Sequence, residues 1–152
     1  MQSIEFSDIK ITGGYWKTRQ DINSEVTLKS VYERFRGTHR FDALKCDWKD
    51  GEPDMPHIFW DSDVAKWLEG AAYILNSKDE ESIAEIIENA IDCIIENSDE
   101  NGYFNSHYLV TEKNNRFRNR DCHELYCAGH LFEAAVAYYE ITGKDRFLKA
   151  MC

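Results

Sequence analysis

The clearest hydrophobic pattern in the chain lies between residues 83 and 95. Isoleucine and alanine recur there in alternating steps of three and one, which places them on one face of a helix with 3.6 residues per turn. Isoleucine has only a moderate helix propensity, so the spacing decides the prediction. The polar stretch at 97–102 predicts the end of this helix.

Weaker apolar stripes predict four further helices, at 21–36, 64–75, about 121–141, and from Lys144 onward. Gly37 and Gly143 stand where helix ends are expected. The second of these helices follows Asp61-Ser62-Asp63, which we expect to cap its N-terminus.

The remaining segments show no helical period. Residues 3–12 alternate apolar and polar positions, which predicts a short β-strand ended by the glycine pair at 13–14. Residues 38–59 are rich in turn formers, 103–110 fit a loop or a short strand, and 111–120 form a polar, basic loop. The sequence therefore predicts an all-α fold with one short N-terminal β-strand.

A weak internal repeat connects two of the predicted helices. The sequence that starts at Glu69 resembles the sequence that starts at Glu133, and a break and a further helix follow each copy. Repeated helix pairs are typical of solenoids and of closed α/α toroids. The last helix has no stop signal before Cys152, so we expect residues 1–152 to be the N-terminal part of a longer domain.

Charge and composition narrow the possible partners and the compartment. The chain has 18 Lys and Arg against 28 Asp and Glu, and this formal charge of −10 disfavours nucleic acids and anionic membrane surfaces as partners. No apolar run approaches ~20 residues, and the N-terminus lacks the pattern of a signal peptide. Five scattered cysteines favour reduced thiols and a cytoplasmic setting.

The densest group of chemically useful residues lies between 121 and 130. On a continuous helix His123, Cys127 and His130 would share one face, and residues of this type bind zinc. About two helical turns separate His123 from His130, so coordination of one tetrahedral ion by all three residues would be strained. There are two alternatives. One is a buried helix start whose histidines are satisfied by neighbouring groups. The other is a ligand-facing helix start where His123 and Glu124 bind a polar substrate.

A second candidate group surrounds the start of the helix at 64–75. Asp61 and Asp63 could form an acid/base pair, although the spacing alone favours helix capping with negative charge at the helix N-terminus. Trp60 and Trp67 could form a sugar platform, but Trp67 lies in the apolar stripe and is expected in the core. The basic run at 116–120 is typical of a solvated loop.

Three sequence blocks together resemble one enzyme family. These are Pro56-His-Ile-Phe-Trp-Asp-Ser-Asp-Val-Ala-Lys-Trp-Leu-Glu-Gly-Ala-Ala-Tyr73, Asp99-Glu-Asn-Gly-Tyr-Phe-Asn105, and Asp121-Cys-His-Glu-Leu-Tyr-Cys-Ala-Gly-His-Leu-Phe-Glu-Ala-Ala-Val-Ala-Tyr-Tyr139. In this order and at this separation they are similar to glycoside hydrolase family 127, the β-L-arabinofuranosidases.

The resemblance implies an (α/α)6 barrel of which this chain supplies only the first helices, with β-sandwich domains further on. It also implies retaining removal of terminal β-L-arabinofuranosyl units by a zinc-bound cysteine nucleophile and a glutamate acid/base. Those catalytic residues and the zinc ligands lie beyond residue 152 in the family, so we expect neither a catalytic residue nor a metal site in this chain.

The resemblance further implies a sugar-binding role for His123, which matches a family histidine that contacts the sugar hydroxyls. His130, Asp61 and Trp60 are the other candidate substrate-binding residues. The expected partners are an arabinofuranosyl oligosaccharide and either the missing C-terminal part of the same enzyme or a second copy of the chain. A stand-alone helical carbohydrate-binding or interaction module is the alternative from another class. An unsaturated glucuronyl hydrolase is a second enzyme alternative, disfavoured by the His-Glu-Leu-Tyr block.

Overall fold

The computed structural model describes residues 4, 6–78 and 80–152. Within these residues the regular structure is entirely helical, which confirms the predicted fold class. The α-helices are α1 (Gly14–Ile22), α2 (Leu28–Gly37), α3 (Trp60–Leu75), α4 (Glu81–Asn97), α5 (Ser106–Val110), α6 (Glu124–Thr142) and α7 (Arg146–Met151). No described helix is both long enough and apolar enough to cross a membrane.

The structure does not show the predicted N-terminal strand. Among the described residues of the segment 3–12, Phe6–Asp8 form a single 3-10 turn; residues 3 and 5 lie outside the described part. A strand needs a hydrogen-bonded partner, and the part of the chain that is described contains no second strand. The ring of Phe6 instead packs against Tyr73 of α3, with ring centroids 4.7 Å apart.

The first helical segment is longer than predicted. It begins at Gly14 and continues through a π-helical turn at Asn23–Thr27 into α2. The added helix α1 buries none of its residues, so no apolar stripe marks it in the sequence. An ion pair between Lys17 and Asp21, one turn apart, stabilises it locally.

Helices α3 and α6 lie side by side and form the centre of the core. Alanine side chains on both helices permit this close approach, because a methyl group takes up little space between the helix axes. Six of them are at most 1% exposed: Ala65, Ala71, Ala72, Ala134, Ala135 and Ala137. Trp67 also lies in the core, as predicted, and its indole N–H donates to the carbonyl of Leu28 at 2.9 Å.

Helix α4 covers one side of this pair with the predicted isoleucine face. Ile83, Ile87, Ile91 and Ile94 are each at most 2% exposed. Two helix pairs, α3 with α4 and α6 with α7, therefore occupy the two copies of the sequence repeat.

Three local predictions are wrong. Residues 106–110 form the short helix α5, whose N-terminus is capped by the Asn105 side chain accepting from the backbone N–H of Tyr108 at 3.0 Å. Helix α6 starts at Glu124 instead of Asp121, because a 3-10 turn at Arg120–Cys122 and a left-handed residue, His123, precede it. Asp61 and Asp63 lie inside the first turn of α3, and Phe59 occupies the N-cap without a side-chain hydrogen bond.

Candidate functional site

The N-terminal ends of α3 and α6 meet at a small open pocket of about 440 Å³. Helices α3 and α6 pack side by side, and the contact between the rings of Phe59 and His123 places both helix starts at one end of the core. Four side chains from the first turns and N-cap of α3, and two from the first turn and N-cap of α6, supply the walls. The lining residues are Phe59, Ser62, Asp63, Lys66, His123 and Tyr126.

His123 occupies the centre of this pocket wall. Its backbone is in the left-handed region, with φ of 61°. Its ring Nδ1 lies 2.5 Å from the backbone carbonyl oxygen of Asp121. A carbonyl oxygen only accepts, so Nδ1 carries a proton, and in the neutral ring Nε2 is a hydrogen-bond acceptor.

Aromatic rings flank His123 on two sides. The Phe59 ring packs edge-on at a centroid distance of 4.5 Å, and the Tyr126 ring lies 5.6 Å away. The ammonium group of Lys66 lies 4.8 Å from the Tyr126 ring centroid. The pocket therefore combines two apolar ring surfaces with an imidazole and a cation. The sequence analysis did not identify Phe59, Lys66 or Tyr126 as site residues.

Asp63 lines the pocket, and Trp60 lies beside it. Arg40 donates from Nε to Oδ2 of Asp63 at 3.0 Å, and its guanidinium lies 5.6 Å from the Trp60 ring centroid. The half-buried Trp60 is not among the residues that line the pocket. The Trp60 ring supports the pocket wall indirectly, because Arg40 contacts both this ring and Asp63.

Asp61 points into the core. It is only 2% exposed, and its Oδ2 accepts a hydrogen bond from the backbone N–H of Ser106 at 2.8 Å. Burial raises the pKa of this carboxyl to about 6, although the hydrogen bonds from Ser106 act in the opposite direction. In this structure Asp61 therefore connects α3 to the start of α5 and does not line the pocket.

The zinc interpretation of His123, Cys127 and His130 fails because these residues are not on one helix face. His123 precedes the helix, and the Cys127 thiol is buried and donates to the carbonyl of Ile58 at 3.3 Å. Burial raises the pKa of Cys127 to about 12, which disfavours the thiolate that zinc requires.

A different group, Glu69, His130 and Glu133, brings its ligand atoms within 4.8 Å of one another, the only such group found among the described residues. Nδ1 of His130 lies 2.9 Å from a carboxylate oxygen of Glu133, and the His130 ring packs edge-on against Tyr126 at 4.5 Å. A carboxylate–imidazole contact explains this arrangement without an ion, and Glu133 is exposed.

Glu124 is directed away from the pocket. Its carboxylate accepts from the Tyr103 hydroxyl and from the backbone N–H of Phe117, each at 2.6 Å. Both oxygens are therefore occupied within the protein. The sequence interpretation in which Glu124 contacts a substrate together with His123 is not supported.

Comparisons with known proteins place these residues in a family context. The family described as beta-L-arabinofuranosidase, GH127 catalytic domain, matches residues 8–152. A non-reducing end beta-L-arabinofuranosidase of Bifidobacterium longum subsp. longum is 35% identical over 97 residues, which are 60% of this chain and 15% of that protein.

Two solved structures share the fold. Ara127N-Se, a GH127 beta-L-arabinofuranosidase from Geobacillus stearothermophilus T6, superposes with a TM-score of 0.88 at 35% identity and covers 95% of this chain. The GH127 beta-arabinofuranosidase BT3674 gives a TM-score of 0.83 at 24% identity over 97% of the chain. The chain spans 24% and 25% of these two proteins, about a quarter of each.

Proposed function

This chain belongs to the family of GH127 catalytic domains of β-L-arabinofuranosidases, and on that premise we propose that it forms part of the sugar-pocket wall of a retaining glycoside hydrolase. The substrate class we propose is a glycan with terminal β-L-arabinofuranosyl residues. The observation that carries the proposal is His123, held between aromatic rings where two helix starts meet.

The chemistry of the pocket suits a single sugar ring. Nε2 of a neutral His123 accepts from a hydroxyl, while the Phe59 and Tyr126 rings offer apolar surface to sugar C–H groups. Lys66 and Asp63 add a donor and an acceptor at the same opening. Concave sites with apolar walls and a few convergent polar groups are typical of small-molecule binding.

The other candidate contacts support this wall from behind. His130 packs against Tyr126, Trp60 lies beside the Arg40–Asp63 pair, and Asp61 fixes α5 through Ser106. Direct contact of His130 and Trp60 with the sugar stays a prediction, whereas the buried Asp61 does not line the pocket.

Cys46 and Cys127 do not fit a zinc–thiolate nucleophile. Burial raises the pKa of both Cys46 and Cys127 to about 12, and the described residues do not bring cysteines together as a ligand set. We therefore propose that the zinc-bound nucleophile and the acid/base are supplied outside residues 1–152. The role of this chain is to bind and orient the sugar.

The partner we propose is the remainder of the same catalytic domain. Apolar residues cover α6 on its outer side as well as on its buried side, and four of them are 42–76% exposed: Leu125, Phe132, Val136 and Tyr139. On the opposite flank an apolar groove of about 610 Å³ lies between α1–α2 and α3. Further helices of a barrel would cover both flanks, whereas self-association would cover them in their absence.

Five free cysteines also fit our proposal of a reducing, cytoplasmic setting.

The test is hydrolysis of p-nitrophenyl β-L-arabinofuranoside by the full-length protein that carries this chain, followed by NMR of the released sugar. We expect the β-anomer to be the first product and p-nitrophenyl α-L-arabinofuranoside, the matched control, to remain intact. Binding of the β-arabinoside without hydrolysis would instead favour a carbohydrate-binding module. Release of the α-anomer first would contradict retention.

A further inference from the structure

The backbone at His123 needs support from outside its own helix. His123 and Phe117 both have left-handed backbones, with φ of 61° and 56°. Residues with side chains adopt this region infrequently, and such positions persist when the surrounding structure fixes them. Between them, the 3-10 turn at Arg120–Cys122 is the only regular structure.

Glu124 supplies that support. It is 6% exposed and follows His123 directly, so its carboxylate lies on the core side of the first turn of α6. One carboxylate oxygen accepts from the Tyr103 hydroxyl and the other from the N–H of Phe117, each at 2.6 Å. The Glu124 carboxylate thus joins three segments: the start of α6, the loop that leads to His123, and the turn before α5.

A second layer fixes the partners of Glu124. Arg116 donates to Oδ2 of Asp99 at 2.5 Å, and its guanidinium lies 4.0 Å from the Tyr103 ring centroid. Oδ1 of Asp99 accepts from the backbone N–H of Tyr103 at 3.0 Å. The Tyr103 hydroxyl is therefore held in place before it donates to Glu124.

We propose that Glu124 is a positioning residue for the sugar site, acting through His123. Its two hydrogen bonds fix the loop from Phe117 to His123, so that the His123 ring stays against Phe59 with Nδ1 bonded to the Asp121 carbonyl. Glu124 does not line the pocket that contains His123. The inference rests on the proposed sugar-binding role of His123.

The two hydrogen bonds predict how strongly each variant should weaken the connection between α6 and the loop that leads to His123. Glu124→Ala removes both acceptors. Glu124→Gln keeps one carbonyl oxygen for the N–H of Phe117 and offers an amide donor to the Tyr103 oxygen, so it partly restores the connection. Tyr103→Phe removes one donor and leaves the bond to Phe117.

The experiment compares these variants in the full-length protein, alone and combined with His123→Ala. Three quantities are measured: kcat/KM on p-nitrophenyl β-L-arabinofuranoside, the Tm, and hydrogen exchange of the Phe117 amide. We expect Glu124→Ala to lower kcat/KM by roughly tenfold to a hundredfold and to speed exchange at Phe117, with Glu124→Gln in between. In the His123→Ala background Glu124→Ala should lower kcat/KM no further, because the effect passes through His123.

The outcomes separate this inference from the proposed function. An equal loss of kcat/KM in both backgrounds would overturn the positioning role, because a purely structural loss of folded protein does not depend on His123. Unchanged exchange at Phe117 would overturn it as well. Absence of arabinofuranosidase activity in the wild-type protein would refute the proposed function, whereas the exchange of Phe117 in the Glu124 variants would still test whether the carboxylate fixes the loop.

Discussion

The rings of Phe59 and His123 pack edge-on with centroids 4.5 Å apart, although the two residues are 64 positions apart in the chain. Each residue immediately precedes a central helix, Phe59 before α3 and His123 before α6. The same offset relates Glu69 to Glu133 in the internal repeat. Equivalent positions of the two repeats therefore meet, and the pocket forms where they do.

The buried carboxyl of Asp61 predicts a stability that falls as pH rises. Burial raises its folded pKa to about 6 from 3.8, so between these values the folded protein binds more protons than the unfolded chain. Relative to Asp61→Asn, which keeps an acceptor for the N–H of Ser106, the wild type should lose about 2 kcal/mol of unfolding free energy between pH 4 and pH 7. Urea unfolding of both proteins across this range measures the difference. A difference that does not change with pH would show that Asp61 does not titrate in this way.

Glu88 predicts the opposite dependence on pH. Burial acts to raise its pKa, but hydrogen bonds from Lys144, Tyr138 and Arg146 outweigh it and lower the pKa from 4.5 to about 2. This contribution to stability is present above pH 4.5 and is lost as pH falls toward 2. Glu88→Gln should cost about 1–2 kcal/mol at pH 7, because the group is partly exposed, and almost nothing near pH 2.

The matched control for Glu88 is Glu85→Gln, an exposed position one turn earlier on α4. Denaturant unfolding of both variants at the two pH values gives the comparison. Equal losses at pH 7 in the two variants would contradict the role assigned to the Glu88 hydrogen bonds.

The purified 152-residue chain should not hydrolyse p-nitrophenyl β-L-arabinofuranoside, with or without added zinc. The reason is that the described residues bring no cysteines together as a zinc ligand set, and burial raises the pKa of the Cys46 and Cys127 thiols to about 12, which disfavours their thiolates. Release of p-nitrophenol over hours, with the full-length protein as the positive control, measures this. Turnover that scales with the concentration of the chain would place a nucleophile within residues 1–152.

The exposed apolar side chains of α6 predict that the same chain self-associates or binds a hydrophobic dye. Phe132 and Val136 are 48% and 42% exposed, so Phe132→Ser combined with Val136→Ser should reduce both effects. Sedimentation velocity and dye fluorescence are the measurements. A wild-type chain that is monomeric, binds no dye and unfolds cooperatively would argue against an uncovered flank.

The sequence predicts the helices well where burial alone shapes them. The isoleucine face of α4 and the centre of α3 follow the 3.6-residue period because one side of each helix lies against the core. The sequence pattern does not predict helix α1, because this helix buries no residue. The alternation near the N-terminus resembles a strand, but the described segment there has no partner strand to pair with.

The candidate site is less predictable because tertiary contacts determine it. His123 can be found through the family resemblance, but the start of α6 depends on Glu124 reaching Tyr103 and Phe117, which lie 21 and 7 residues away in sequence. Nothing local signals that Asp61 turns toward Ser106. The signal for Phe59 in the sequence is the repeat offset of 64, because Phe59 lies 64 positions before His123.

The most direct test of a sugar-binding role for this chain is the kcat/KM of His123→Ala in the full-length protein, measured together with its Tm. Nδ1 of His123 is bonded to its own loop, so the hydrogen bond to the sugar that the substitution removes is the one made by Nε2. A lost hydrogen bond to a sugar hydroxyl is worth about 1–3 kcal/mol, so kcat/KM on p-nitrophenyl β-L-arabinofuranoside should fall by roughly ten- to a few hundredfold while the Tm changes little. A lowered Tm with unchanged kcat/KM per folded molecule would contradict the account and show that His123 is structural.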